Sequence, residues 1–275
     1  MSRRLKYISR IKDDFDTVIC GFNGVISYDL RIQPEAVDTL IKMYQNDKRI
    51  MLASNIGWRV NDLFAFLKSN GVPMQIFDAM ITAGEMSHFH FRQNEDLGKK
   101  YYFLGNHQPQ TTKETDYIEV KNIAEADFML AETDVEGINL NDYTSLLEQA
   151  LHYHKPLICV GNDTMLATTQ GVHDCVGALA EQYAMMGGKL ISFGKPDVRI
   201  AAYLCENIPN FERSRCLIIG DCMATDMRMG NTFKAQTLFL TGGVHQMSDP
   251  SPQQIDALSA EYGLGVDYYA ETLQW

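Results

Sequence analysis

Residues 17–27 read TVICGFNGVIS, a short apolar run that leads into a turn carrying Gly21 and Gly24. Valine, isoleucine and threonine favour extended backbone, so the run 17–20 is predicted to be a buried strand. In open parallel sheets, ligands bind just beyond the carboxyl ends of the strands, where such turns lie. The segment therefore predicts a strand of a parallel sheet and the place of a functional site after it.

The neighbouring sequence repeats this order of strand and helix. Pro34 begins a stretch with apolar residues at helical spacing, as proline often does at the first helical position. Residues 49–53 form a second apolar run that ends at Ser54-Asn55, and an amphipathic helical stretch follows to about residue 70. Two strand–helix units in series predict an α/β fold with a doubly wound, Rossmann-like parallel sheet.

The middle of the chain shows the same alternation in a separate block. We interpret this block as an α/β cap domain inserted into the first domain, with Gly187-Gly188 as a hinge. The predicted domains are a core of residues 1–75 and 190–275 and a cap of residues 76–189. The predicted cap strands are 101–105, 128–131 and 157–160, and the predicted cap helices are 146–154 and 175–186.

Composition and charge limit the function classes. Hydrophobic residues make up 45% and charged residues 21% of the 275 residues, as in an ordinary globular protein. A formal net charge of -11 repels phosphate backbones, so we expect no nucleic-acid partner. The 6 cysteines include no Cys-x-x-Cys pair, which favours reduced thiols over a disulfide framework. With no apolar signal or bilayer-spanning run, we expect a cytoplasmic protein that does not bind membranes.

Ordered motifs give the chain a resemblance to a known family. Its sequence resembles the haloacid dehalogenase (HAD) superfamily, in particular the class IIA phosphatases, which carry a large α/β cap inserted between their second and third motifs. Relatives include sugar-phosphate, glycerol-phosphate and pyridoxal-phosphate phosphatases. The matching segments are Gly21-Phe22-Asn23-Gly24-Val25, Ser54-Asn55, Gly194-Lys195-Pro196 and Gly220-Asp221-Cys222-Met223-Ala224-Thr225-Asp226.

The first of these motifs differs from the family pattern at two positions. The resemblance implies a nucleophilic, metal-binding aspartate at position 21 and an acid/base aspartate at position 23. Gly21 has no side chain to attack phosphorus, and the Asn23 amide does not exchange protons near neutral pH. We interpret Gly21 as a tight turn that needs glycine geometry. Cys20 closes an apolar strand, so we expect a buried, inert thiol rather than a replacement nucleophile.

The other motifs keep residues with which the family binds phosphate. The resemblance implies that Ser54, Asn55 and Lys195 contact a phosphate. From residue type alone, Ser54 and Asn55 also suit a helix N-cap, and both roles are compatible because a helix N-terminus favours an anion. A solvated surface lysine is the alternative for Lys195.

The resemblance also implies a metal site and a loop that faces the substrate. Asp221 and Asp226, with the backbone carbonyl of Asn23, would be the remains of a Mg²⁺ site, weakened because position 21 supplies no carboxylate. Ordinary loop and cap roles are the alternative for both aspartates. In the cap, Asn162 and Asp163 occupy the place of the family's substrate-facing loop.

Three interpretations of function follow. The first is a pseudo-phosphatase that binds a small phosphorylated molecule, phosphate or another anion, or a protein partner, without the standard hydrolysis. The second is an active hydrolase of a small phosphorylated metabolite that uses an unusual nucleophile or water. The third is a structural or regulatory subunit that assembles through its cap. Class IIA relatives often pair through their caps, so the resemblance also implies a homodimer.

Overall fold

Strands and helices alternate along almost the whole chain in the computed structural model, which describes residues 1–93, 96–105, 107–133, 137–206 and 208–275. Strands β1 to β16, in chain order, are Arg3–Arg4, Thr17–Cys20, Ser27–Tyr28, Arg31–Ile32, Arg49–Ser54, Ala79–Thr82, Lys100–Phe103, Ile118–Glu119, Phe128–Glu132, Leu157–Val160, Met165–Thr168, Gly171–Asp174, Leu190–Phe193, Cys216–Gly220, Gln236–Leu240 and Tyr268–Ala270. Helices α1 to α8 are Pro34–Gln45, Val60–Ser69, Ala83–Gln93, Thr144–His152, Val176–Met185, Val198–Cys205, Arg228–Phe233 and Pro252–Glu261. Over the described ranges, none of these helices has the length and apolar character needed to cross a membrane.

A seven-stranded sheet forms the first layer of the protein. Its order is β1-β16-β15-β14-β2-β5-β6, and every pair in it is parallel. Strand β2 lies between β14 and β5, with Cys20 level with Ile219 on one side and Leu52 on the other. The turns after these strands therefore meet at one edge of the sheet. This architecture confirms the predicted α/β fold with a doubly wound parallel sheet.

Helices cover both faces of this sheet. Successive strand side chains point to opposite faces, so Cys20 packs with α1 and α2 while Ile19 packs with α6 and α7. Both faces are therefore buried, which explains why the strands read as continuous apolar runs rather than as an alternation.

A second, five-stranded parallel sheet has the order β13-β10-β9-β7-β8. Helices α4 and α5 pack on one face and α3 on the other. The antiparallel pair β11–β12, here called the 165–174 hairpin, follows β10 along the chain. The sequence interpretation did not include this hairpin.

Two strands lie in a different sheet from the one the domain boundaries imply. Strand β6, beyond residue 75, pairs with β5 in the first sheet, and β13, assigned to the core from residue 190, pairs with β10 in the second sheet. The chain thus changes sheet after residues 82 and 193. Local sequence shows that a strand is present, but not which sheet it joins, so both boundaries were wrong by a few residues. The division into core and cap domains stays a prediction.

Candidate functional site

Polar residues from both sheets meet around one cavity at the carboxyl edge of the first sheet. The cavity has a volume of about 10 Å³, room for roughly one water. The structure brings most of the predicted site residues to its wall: Asn23, Ser54, Asn55, Asp163, Lys195, Asp221 and Asp226. Their convergence follows from the parallel sheet, while their roles stay predictions.

The buried centre of the site is an ion pair. Lys195 Nζ lies 2.7 Å from Asp226 Oδ1, and the side chains are only 6% and 3% exposed. Burial alone would lower the pKa of Lys195, but the charges of Asp226 and Asp163 raise it above its usual value. The ammonium group is therefore positively charged and already held by a carboxylate of the same chain.

Asn55 links three parts of the site. Its Oδ1 accepts a hydrogen bond of 2.6 Å from the Lys195 backbone N–H. Its Nδ2 donates to Asp163 Oδ1 at 2.8 Å and to the Lys195 backbone oxygen at 3.2 Å. The neighbouring Ser54 hydroxyl accepts from the Ile56 N–H at 3.2 Å, a local contact at the start of the loop. Asn55 thus orders the loops themselves, with both ends of its amide engaged.

The loop after β10 brings a carboxyl group from the second sheet into this site. Asp163 Oδ1 accepts from Asn55 Nδ2 and from Thr225 Oγ1, the latter at 3.0 Å. Burial, with Asp226 adding repulsion against the attraction of Lys195, raises the pKa of Asp163. Asn162 instead donates to the backbone oxygens of residues 193, 194 and 195, so it supports the Lys195 loop from outside the cavity.

Asp221 lies at the end of β14, against the glycine turn after β2. Its Oδ2 accepts from the Val244 N–H at 2.9 Å. Burial and the charge of Asp226 raise the pKa of Asp221 to about 7. Gly24 has a φ of +72°, and a Cβ there would lie 2.0 Å from Asp221 Oδ2. Glycine at position 24 is therefore required both by conformation and by the close approach of this carboxyl group.

Gly21 differs from Gly24 both in its backbone conformation and in the space around it. Its φ lies outside the left-handed region, so the interpretation of Gly21 as a turn that needs glycine geometry is wrong. A Cβ at position 21 would lie 3.2 Å from Val25 Cγ2 and 3.5 Å from Asp226 Oδ1, which small shifts of the neighbours can accommodate. The fold therefore admits a Cβ at position 21 once Val25 shifts slightly, although the sequence has no side chain there.

The thiols around this turn are poor nucleophiles. Cys20 is fully buried, and its Sγ donates to the Gly21 oxygen at 3.2 Å. Burial and the charge of Asp226 raise the Cys20 pKa far above its usual value. Burial and the charge of Asp163 raise the pKa of Cys222, which lines the cavity, to about 12. Both thiols are protonated at neutral pH, and the thiolate is the reactive form.

The 165–174 hairpin covers the cavity. Met165, Leu166 and Ala167 contribute to its wall. The tip of the hairpin is held on the first sheet's side by Asp29, whose carboxylate accepts from the Thr169 N–H at 2.6 Å and from its hydroxyl. Sequence reasoning missed this cover because the two-residue turn Thr169-Gln170 lacks the Asn-Gly or Asp-Gly signal of a tight hairpin.

The arrangement of donors does not fit a Mg²⁺ ion as the family resemblance would place it. Asp226 is engaged through both oxygens, by Lys195 and, at 3.3 Å, by the Cys222 N–H. Gly21 adds no ligand, which leaves Asp221 and the backbone of Asn23. Within the described residues, no group of three or more His, Cys, Asp or Glu side chains is arranged to hold a metal.

Comparisons with known proteins agree with this architecture. Residues 192–261 match the family model described as HAD-hydrolase-like. No curated protein matches the chain. Among solved structures, a haloacid dehalogenase-like hydrolase from Brucella suis is similar over 98% of this chain and 99% of its own, with a TM-score of 0.79 and 21% identity.

Two further structures extend the likeness to phosphatases. A possible sugar phosphatase of the HAD superfamily from Cytophaga hutchinsonii gives a TM-score of 0.73 at 17% identity, with 98% of each chain covered. The p-nitrophenyl phosphatase from Archaeoglobus fulgidus gives 0.64 at 21% identity, with 94% of this chain and 97% of the other covered. The predicted fold is thus confirmed: the chain has the fold of the haloacid dehalogenase-like hydrolases, and residues 192–261 match their family model.

Proposed function

We propose that this protein is a pseudo-phosphatase: a HAD-like protein that keeps the polar site of the fold but does not form an aspartyl-phosphate. The main observation in support of the proposal is the space beside Gly21. A Cβ placed there would lie 3.5 Å from Oδ1 of Asp226, which lines the cavity, and yet the position supplies no carboxylate. Loss of a nucleophile that acts together with an acid/base group costs about 10⁴-fold or more in rate.

Three neighbouring groups, the side chains of Asp226, Asp163 and Cys222, are poorly suited to take over the attack on phosphorus. Asp226 is tied to Lys195, and Asp163 is held by Asn55 and Thr225. The Cys222 thiol is protonated at neutral pH, because its pKa is raised to about 12. These contacts favour a non-hydrolytic protein over an active hydrolase with an unusual nucleophile.

The charge of the site decides how a phosphate would bind. Three carboxyl groups face one ammonium group that Asp226 already holds, so a phosphate anion meets net repulsion unless Lys195 changes partner or a carboxyl group takes up a proton. We therefore propose that phosphate, or a small phosphorylated molecule, binds weakly at neutral pH and only after the 165–174 hairpin moves away.

A structural or regulatory subunit is the second candidate function. It is favoured by the small cavity of about 10 Å³ and by two contacts that hold separate parts of the chain together: Asn55 with Asp163 between the two large sheets, and Thr169 of the hairpin with Asp29. Pairing of two copies through the cap remains part of this proposal, and sedimentation equilibrium would test it.

A phosphatase assay separates these functions. The purified protein should show little or no turnover of p-nitrophenyl phosphate with added Mg²⁺, and Asp221→Asn should leave that baseline unchanged. Phosphate should bind weakly in calorimetry, and Lys195→Met should abolish the binding. Turnover that survives repeated purification and is lost in Asp221→Asn would show an active hydrolase. No phosphate binding by the folded parent would favour the structural subunit.

A further inference from the structure

The order of strands in the second sheet marks a place for a ligand away from the site above. Along the chain, β7 leads outward to β8, and β9 then returns to the other side of β7 and leads on to β10 and β13. The direction of winding therefore reverses between β7 and β9. In open α/β sheets the crevice outside the carboxyl ends of the strands at such a reversal is where ligands bind.

A cavity lies at this crevice. Its volume is about 170 Å³, far larger than the 10 Å³ of the site in the first sheet. Gly105 and His107 line it from the segment after β7, and Glu132 and Thr133 line it from the end of β9. The strand order and the cavity are independent observations, and they agree on one position.

Glu132 gives the cavity its chemical character. Its side chain is 1% exposed, and three donors fix its orientation: the N–H groups of Gln110 and Thr111, both at 2.8 Å, and the Thr111 hydroxyl. His107 Nε2 lies 3.7 Å from its Oε2, beyond hydrogen-bond distance. A carboxylate accepts up to about four hydrogen bonds, so Oε2 can take a further donor from the cavity.

The remaining wall favours a cation with a short apolar body. Tyr143 contributes an aromatic ring, which attracts a cation, and Ile138 and Val176 contribute apolar surface. Helix α5 begins at this wall, but the N–H groups of Gly177 and Ala178 are engaged by the backbone oxygens of residues 163 and 175. These donors are not available to an anion.

We propose that this cavity is a binding site for a small primary amine, whose ammonium group donates to Glu132 and whose apolar part lies against Ile138 and Val176. The site is separate from the pseudo-phosphatase site and does not depend on that proposal. Buried carboxylates are stabilised by a paired cation; His107 can serve as one only when its ring is protonated, whereas the ammonium group of the ligand would supply a permanent positive charge.

Matched probes test the proposal. n-Butylamine, 1-butanol and butyrate share an apolar tail and differ in the head group, and each is titrated into the full chain with amide chemical shifts as the readout. At a limit of about 1.5 kcal/mol per non-hydrogen atom, probes of this size can bind no more tightly than the low micromolar range, so the titration extends to millimolar ligand. We expect saturable binding of butylammonium with shifts at Thr111 and Glu132, weaker binding of butanol, and no saturation with butyrate.

Amino-acid substitutions test whether butylammonium binds in this cavity. Glu132→Gln should weaken butylammonium by about tenfold or more, as expected for loss of a hydrogen bond between charged groups. Glu148→Gln, which changes an exposed glutamate on α4, should have no effect. If Glu132→Gln fails to fold, Ile138→Trp, which fills the cavity from a half-buried position, should abolish binding. The proposal is overturned if butyrate binds as tightly as butylammonium, if the folded parent shows no saturable binding, or if Glu132→Gln or Ile138→Trp binds like the parent.

Discussion

Lys195 and Asp226 form an ion pair of 2.7 Å between side chains that are 6% and 3% exposed. Two other carboxyl groups, of Asp163 and Asp221, act on the same ammonium group. Among the described residues of this cluster, Lys195 is the one cation that balances the three carboxyl groups. The two partners of the ion pair, Lys195 and Asp226, are therefore not equivalent.

Removal of the lysine should cost more than removal of its partner. Lys195→Met leaves Asp226 buried without a cation beside two further carboxyl groups, and we expect a loss of about 3–5 kcal/mol in the free energy of unfolding. Asp226→Asn leaves Lys195 close to Asp163 and Asp221, so the loss should be smaller. Urea denaturation measures both. Equal losses, or a larger loss for Asp226→Asn, would show that Asp163 and Asp221 do not support Lys195.

The two glycines of the turn after β2 should respond differently to alanine. Gly24→Ala requires a left-handed φ and places Cβ 2.0 Å from Asp221 Oδ2, so a loss of about 2–4 kcal/mol is expected. Gly21→Ala meets only Val25 Cγ2 at 3.2 Å and should change stability by about 1 kcal/mol or less. Thermal unfolding of the two variants compares them directly. A large loss in Gly21→Ala would restore the turn interpretation.

His245 should make stability depend on pH below neutrality. Burial lowers its pKa from the usual 6.5, and its Nε2 accepts from the Met223 N–H at 3.3 Å, which a protonated ring cannot do. The unfolded chain therefore binds this proton at higher pH than the folded protein does. The stability contributed by neutral His245 is complete above about pH 6.5 and is lost as the pH falls toward the lowered pKa.

His245→Gln is the matched variant, because glutamine can still accept from Met223. We expect the parent to lose stability relative to this variant between about pH 7 and pH 5. Asp221 has the opposite effect on stability. Its pKa is raised to about 7, so its contribution to the free energy of unfolding falls as the pH rises. The difference between parent and variant removes that background. A difference that does not change with pH would contradict the assignment to His245.

Local sequence predicts the place of the site because each motif follows an apolar strand. Parallel strands end at the same edge, so the turns at Gly21, Ser54 and Asp221 had to meet once the sheet was parallel. The apolar runs also located β9 and β10 to within one residue. This part of the prediction needed only strand positions and strand direction.

The contacts between the two sheets could not be read in this way. That Asn55 holds Asp163, or that Lys195 pairs with Asp226, depends on the relative placement of segments more than 30 residues apart. Strand order likewise depends on how distant segments assemble. The reversal between β7 and β9 appears only in the assembled sheet, so the local sequence does not predict the cavity beside Glu132.

Restoring the family's two carboxylates tests how far the rest of the site is intact. Gly21→Asp together with Asn23→Asp supplies a nucleophile, a metal ligand and an acid/base group. The space beside Gly21 admits a Cβ if Val25 shifts by a few tenths of an ångström, and the new carboxylate would compete with Asp226 for Lys195. Additional carboxyl groups repel one another in the absence of a cation, so the double variant should be less stable than the parent.

Added Mg²⁺ should therefore raise the melting temperature of the double variant more than that of the parent, because a ligand that binds only the folded state stabilises it. Phosphomonoester turnover should appear in the double variant and be much lower in either single variant, since these groups act as a unit. Thermal shift and turnover are measured on the parent, both single variants and the double variant. A folded double variant that gains neither would show that Asp221, Lys195 and Ser54 no longer form a working site. The structural-subunit function would then be preferred, because the contacts of Asn55 with Asp163 and of Lys195 with Asp226 would serve only to hold the two sheets together.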